Sequence, residues 1–177
     1  MSSENIHDEF ISLSQPKIRK FDGHDWFSTK FSRRNLPHWE LKGSTYYITI
    51  RVHKDLYKPF LKKEIAVCML QILLNNDRSH YDLQAFVIMP DHLHLILKPL
   101  FNITLSEIMK KLKGSSSYQI NKLLNRQGTF WQKESFDHLI RNSAGLLEKL
   151  EYIKQNPVRA KLVIEAEKYP FSSFFAG

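Results

Sequence analysis

The chain has 177 residues, enough for one domain with a sizeable core plus a tail, and its 42% hydrophobic and 25% charged residues are ordinary for a globular protein. Twenty-six Lys and Arg against 18 Asp and Glu give a formal charge of +8, which suits polyanions, chiefly nucleic acid, as partners; charge alone balances that reading evenly against a solvated basic face with no ligand. The lone Cys68 excludes an intramolecular disulfide, no apolar run is long enough to span a bilayer, and the polar stretch Met1 to Glu9 has no signal-peptide core, so a cytoplasmic protein is expected.

Residues 1 to 42 lack a clear period and are interrupted by Pro16 and Pro37. Lys17, Arg19, Lys20, Arg33 and Arg34 are interleaved there with Phe21, Trp26, Phe27, Phe31 and Trp39. That mix suits either an arm lying on nucleic acid or an extension packing its aromatics onto the domain. Tyr46 to Val52 is β-branched and aromatic and predicts a first strand. Pro59 opens a predicted helix to about Asn75, with Leu61, Ile65, Cys68, Met69, Ile72 and Leu73 at helical spacing. Tyr81 to Ile88 and His92 to Lys98 predict a hairpin across the turn signal Met89-Pro-Asp91. Thr104 is the expected cap of a second helix running to about Asn125, which Gly114 and Ser115 to Ser117 are expected to bend or break. That helix carries Lys110, Lys111, Lys113, Lys122 and Arg126 against one acid, Glu107. Ser135 to Arg141 predicts a fourth strand, and Ser143 is the expected cap of a third helix that Pro157 ends. The order β-α-β-β-α-β plus a helix predicts an α+β, ferredoxin-like (split βαβ) antiparallel sheet, with helices on one face and the other open to nucleic acid.

The run Phe86-Val-Ile-Met-Pro-Asp-His-Leu-His-Leu-Ile-Leu97 sets His92 and His94 two residues apart in a predicted strand. Strand side chains alternate, so both imidazoles point one way while Leu93 and Leu95 point to a core. Two imidazoles on one rigid face suit a divalent metal, with the remaining ligands coming from elsewhere in the chain, substrate or water. The alternative is a pair of ordinary strand histidines, hydrogen-bonded or solvated.

On the third helix, steps of 100° put Leu146, Leu147, Leu150 and Ile153 on a core stripe and Gly145, Lys149, Tyr152 and Asn156 on a second stripe away from it. Tyr152 and Asn156 are four apart and therefore neighbours. A metal at His92 and His94 would polarise a phosphodiester, the Tyr152 hydroxyl would attack phosphorus, Asn156 would add an oxygen ligand and Lys149 would neutralise a phosphate oxygen. A half-buried tyrosine with a wet hydroxyl is the plainer alternative.

These segments, with Tyr46 to Arg51, Phe130 to Arg141, Tyr152-Ile-Lys-Gln-Asn-Pro-Val158 and Tyr169 to Ser173, occur in an order that resembles the REP-associated tyrosine transposases, single-tyrosine HUH enzymes of small insertion sequences. The resemblance implies a catalytic domain over residues 43–177, while the N-terminal extension over 1–42 has no clear counterpart in the family. It implies cleavage and rejoining of single-stranded or hairpin DNA, with Tyr152 as nucleophile leaving a 5′-phosphotyrosine and a free 3′-hydroxyl. His92 and His94, assisted by Asn156, would hold Mg²⁺ or Mn²⁺, the donor set suiting Mn²⁺ better. The basic second helix and the N-terminal arm are the expected DNA-docking surfaces. Such enzymes work alone or as a homodimer with shared sites, and the sequence leaves both open. One departure from the family pattern is Lys161, which stands where a glycine is usual, so a positive φ there would require the turn to adjust. Tyr118 is a second candidate nucleophile without an Asn or Gln four residues on, and His138 is a candidate third ligand or a structural histidine. Trp131 and Gln132 suit packing or DNA contact, while Glu134 and Arg141 are unassigned. Two other readings stay in view: a hairpin-binding regulator that does not cut, and a metal-dependent nuclease that uses water.

Overall fold

Backbone hydrogen bonding in the computed structural model, which describes residues 43–100 and 102–177, closes four strands into one sheet. The arm expected over residues 1–42 lies outside the described residues. The strands are β1 (Thr45–Arg51), β2 (Tyr81–Met89), β3 (His92–Pro99) and β4 (Phe136–Ile140). Their spatial order is β2-β3-β1-β4, with every neighbouring pair antiparallel. β1 and β2 are joined through helix α1 (Lys63–Asn76) with β3 inserted between them, the split βαβ arrangement of a ferredoxin-like fold. Helix α2 (Leu105–Leu123) joins β3 to β4, and α3 (Ser143–Arg159) follows β4.

Strand alternation sorts the sheet into two faces. Ile48, Ile50, Leu93, Leu95 and Leu97 pack with α1 and α2 in the main core. Tyr47, Ala85, Val87, Met89 and Ile96 face the other way and cluster with Leu146 and Ile153 of α3. The sheet therefore carries helices on both faces rather than one. The small side chains of Ala85 and Val87 let α3 lie close over β2 and β3, leaving Phe136 and His138 of β4 exposed beside it. The outer edge of β2 is closed by the chain end: the Ile88 amide donates to Phe171 (2.8 Å) and the Ser173 amide to Phe86 (3.0 Å), which removes an unpaired edge.

The helix ends depart from the sequence reading in four places, each for a local reason. Pro59–Leu61 is a separate 3₁₀ turn, because the Phe60 amide is tied to the Pro90 carbonyl of the β2–β3 turn and the chain redirects through extended Lys62 before α1. α2 runs unbroken through Gly114 and the serines. Ser116 turns its hydroxyl back to the Leu112 carbonyl (2.6 Å) and accepts the buried Trp131 indole N–H (2.8 Å). Trp131 is thus a packing residue. Asn142, not Ser143, caps α3, accepting the Gly145 amide at 2.8 Å. α3 continues through Pro157, whose ring is buried and sacrifices only one helix hydrogen bond. Leu147 is 66% exposed, so the core stripe is Leu146, Leu150, Ile153 and Pro157. The Thr104 cap is present as a full capping box with Glu107.

α3 ends in a Schellman turn: the Leu162 amide donates to Pro157 and the Lys161 amide to Val158, both at 2.9 Å, with Lys161 at φ 57°. This is the position where a glycine was expected, and the lysine adopts the left-handed conformation instead. Replacing Lys161 with glycine is expected to raise stability by about 1 kcal/mol in urea unfolding; an unchanged or lower midpoint would show that the lysine contributes compensating contacts.

Candidate active site

The β1–β3 register sets the site. Thr49 lies opposite His94 and Arg51 opposite His92, while on the other side Tyr47 faces His138 and Thr49 faces Phe136. All of these side chains therefore rise from one face of the sheet. The His92 and His94 rings are 4.8 Å apart at an interplanar angle of 76°. Each Nδ1 is occupied. His92 Nδ1 lies 2.6 Å from the Asp91 carboxylate, and His94 Nδ1 lies 2.8 Å from the Tyr47 hydroxyl and 2.9 Å from Thr49 Oγ1. None of the described hydrogen bonds uses either Nε2.

This is the arrangement a metal-binding histidine pair requires. The Asp91 carboxylate accepts the Nδ1 proton of neutral His92, and the hydroxyls of Tyr47 and Thr49 occupy Nδ1 of His94, so Nε2 is the nitrogen of each ring left to ligate. Both imidazoles are held neutral. Burial pushes His94 down to about 3, with the charges of His92 and Arg51 adding to the effect. Burial also lowers His92, against the opposing hydrogen bond and charge of Asp91. Neutral imidazole is the ligating form, so the donor set fits a divalent ion. Among the described residues no group of three or more His, Cys, Asp or Glu is available, so further ligands must be amide or hydroxyl oxygens, water or substrate. His138, exposed on β4, does not complete such a group.

α3 brings Tyr152 to the same place. Its ring lies 5.4 Å from that of His94 and 6.1 Å from that of Tyr47, edge-on to both, and the residue is 36% exposed. The Arg159 guanidinium stands 5.4 Å from the Tyr152 ring centroid, and Lys149 Nζ stands 5.7 Å from that of Tyr47 while pairing with Glu148 at 2.8 Å. Tyr47 is pushed up to about 12, chiefly by burial and further by neighbouring Tyr152, so it remains a neutral phenol. The packing of α3 on the sheet is what brings Tyr152 beside the histidine pair. Asn156 lies one turn beyond Tyr152 and is half-buried; the described hydrogen bonds do not join its amide to either imidazole.

The cations of α2 are elsewhere. That helix packs on the opposite face of the sheet. Lys113 donates to the Gln132 and Lys133 carbonyls, Lys111 contacts His80, and Arg126 bonds Asn121. Lys110 and Lys122 are exposed, as is Tyr118, which lies on this helix and so across the sheet from the histidines. Gln132 packs against the end of β1, its amide donating to Arg51 and its side chain to Val52.

Sequence reasoning passed over Tyr47, Thr49, Arg51, Asp91 and Arg159. Strand alternation from Tyr47 offered a signal for the first three, and adjacency to His92 for Asp91. Arg159 follows Tyr152 by seven residues, two helical turns along the same face.

For a buried, neutral histidine the folded pKa lies below the unfolded value, so the unfolded chain binds the proton first as pH falls. Stability is therefore lost from about pH 6.5 downward. Between pH 7 and 5 His94 is expected to withdraw about 2 kcal/mol from the chelator-treated protein. Urea unfolding at both pH values should show a smaller loss in His94→Gln; an equal loss would mean that His94 is not held neutral by its burial.

The chain matches the family described as "Transposase IS200 like" over residues 44–156. It is 28% identical over 143 residues to a Haemophilus influenzae (strain ATCC 51907 / DSM 11121 / KW20 / Rd) protein whose name places it among REP-associated tyrosine transposases, covering 75% of this chain and 81% of that one. A REP-associated tyrosine transposase of Escherichia coli (strain K12) is 25% identical over 135 residues, covering 76% and 78%. A solved REP-associated tyrosine transposase, described as bound to a REP hairpin, shares the fold with a TM-score of 0.63 at 23% identity, over 80% of this chain and 83% of that one. With the family match extending over more than half of its length, this chain belongs to the IS200-like transposases.

Proposed function

We propose that this transposase cleaves and rejoins single-stranded or hairpin DNA through a 5′-phosphotyrosine at Tyr152, with Mg²⁺ or Mn²⁺ held by His92, His94 and Asn156. The observation that carries the reading is the meeting of Tyr152 with a pair of neutral imidazoles whose Nδ1 atoms are already engaged. A bound divalent ion supplies polarisation of the phosphodiester and neutralisation of its charge. Tyr152 Oη attacks phosphorus and gives up its proton to solvent. The P–O3′ bond breaks and the 3′ oxygen takes up a proton, leaving the strand's 5′ phosphate on the enzyme. The phosphoester is retained, so a 3′-hydroxyl returning to the site rejoins the strand without ATP.

Tyr47 and Thr49 hold the His94 ring, while Arg159 and Tyr47 confine the Tyr152 ring, so the nucleophile meets the phosphate in a narrow range of orientations. Lys149 adds a cation at the rim. The exposed Lys110 and Lys122 on α2, across the sheet, suit the stem of a hairpin rather than the strand at Tyr152. Docking of α3 on its own sheet supports a site complete within one copy. A homodimer with exchanged tyrosines would require α3 to leave the cluster formed by Leu146 and Ile153.

The test uses 3′-labelled oligonucleotides, with and without hairpins, incubated with protein and Mn²⁺ and resolved on a denaturing protein gel. A labelled band at protein-plus-DNA mass is expected, absent in Tyr152→Phe and absent in chelator. Cutting without that band would transfer the reaction to water as nucleophile. Tight hairpin binding without cutting would favour a regulator.

A further inference from the structure

We infer that Arg51 is a phosphate-binding residue of this active site, its guanidinium holding a non-bridging oxygen of the phosphodiester placed between the histidine pair and Tyr152. The inference rests on the reading of that site given above. Arg51 is the last residue of β1, opposite His92 in register, and alternation with Tyr47 and Thr49 turns its side chain to the histidine face. Its backbone is held on both sides. β3 pairs with it on one, and on the other the Gln132 amide donates to its carbonyl at 2.9 Å; the next residue, Val52, donates to Asp91 at 2.9 Å. An exposed side chain thus rises from a rigid support.

Electrostatics gives this arginine a purpose. Its charge is felt by His92, His94 and Tyr47, lowering each. The ion pairs of the described residues do not include it, and the nearby carboxylate of Asp91 is taken by His92. With a divalent cation on the imidazoles and no ligating cluster of carboxylates among the described residues, a guanidinium beside them accumulates positive charge that an anion offsets. A phosphodiester is that anion. Its non-bridging oxygens gain negative charge as Tyr152 Oη approaches phosphorus, and a planar donor fork follows them better than an ammonium group. Among the described residues, Lys149 is engaged with Glu148 and Arg159 lies over the Tyr152 ring.

The experiment compares the full-length chain with Arg51→Gln and Arg51→Lys. Fluorescence anisotropy follows binding of labelled (dT)20 in Mn²⁺ from 50 to 300 mM salt, and titration of Mn²⁺ alone reports the metal pair. Arg51→Gln should weaken (dT)20 binding about tenfold at low salt and flatten the log–log salt slope by about 0.7, one single-strand phosphate contact. Arg51→Lys should restore the slope but not the full affinity. Mn²⁺ alone should bind Arg51→Gln at least as tightly as wild type, because a like charge has been removed. Wild-type affinity and slope in Arg51→Gln, no binding of (dT)20 by wild type at 50 mM salt, or loss of Mn²⁺ binding in the variant would each overturn the assignment. The tyrosine chemistry fails separately: a salt-slope loss in Arg51→Gln without any covalent adduct in wild type would keep the phosphate contact and discard the strand transfer.

Discussion

Everything at this site depends on the register of β1 against β3. A strand repeats every two residues, so a slip of one would send His92 and His94 into the core beside α1 and α2 and expose Leu93 and Leu95 in their place. The register is fixed from both faces. Below, Ile48, Ile50, Leu93, Leu95 and Leu97 are buried in the main core with α1 and α2. Above, Thr49 and Tyr47 reach the same ring nitrogen of His94 across the strand pair. The core and the chemistry are thus two consequences of one alternation, with the apolar face supplying the rigidity that the polar face uses.

Tyr47 belongs to both sides of that division. Its ring is part of the apolar cluster under α3, while its hydroxyl contacts His94 and its ring edge meets Tyr152. Seating α3 on the sheet and aligning the histidine are therefore coupled through a single side chain. The docking itself relies on size. Ala85 and Val87 leave a shallow floor on which Leu146, Ile153 and the buried Pro157 settle, and this turns the Tyr152 face of the helix toward β3. Pro157, read from sequence as a stop, serves here as an apolar surface inside the last turn, and Lys161 ends the helix by accepting a conformation that a glycine adopts at lower cost.

The elements legible in the sequence were those with a strong period. The four strands, the hairpin at Pro90-Asp91 and the three helices follow from alternation, helical spacing and turn residues, and the tyrosine-plus-histidine constellation follows from spacing within two short segments. What went astray was decided by contacts distant in sequence. Ser116 is compatible with an unbroken α2 because it meets Trp131, fifteen residues on. Pro59–Leu61 forms its own turn because Phe60 is bonded to Pro90. Leu147 is apolar yet exposed because α3 touches the sheet along only one narrow stripe.

By itself the sequence determined which residues share a face: His92 with His94, Tyr152 with Lys149 and Asn156, Leu93 with Leu95. Periodicity is a local property and is written in the spacing. Only the tertiary structure decided which faces meet. It laid α3 over β2 and β3, brought Tyr152 to within 5.4 Å of the His94 ring, put the α2 lysines on the far side, and surrounded the pair with Tyr47, Thr49, Arg51, Asp91 and Arg159. Those contacts join residues up to 105 positions apart, as between Tyr47 and Tyr152, and they arise from burial and close packing of whole elements, to which no local pattern refers.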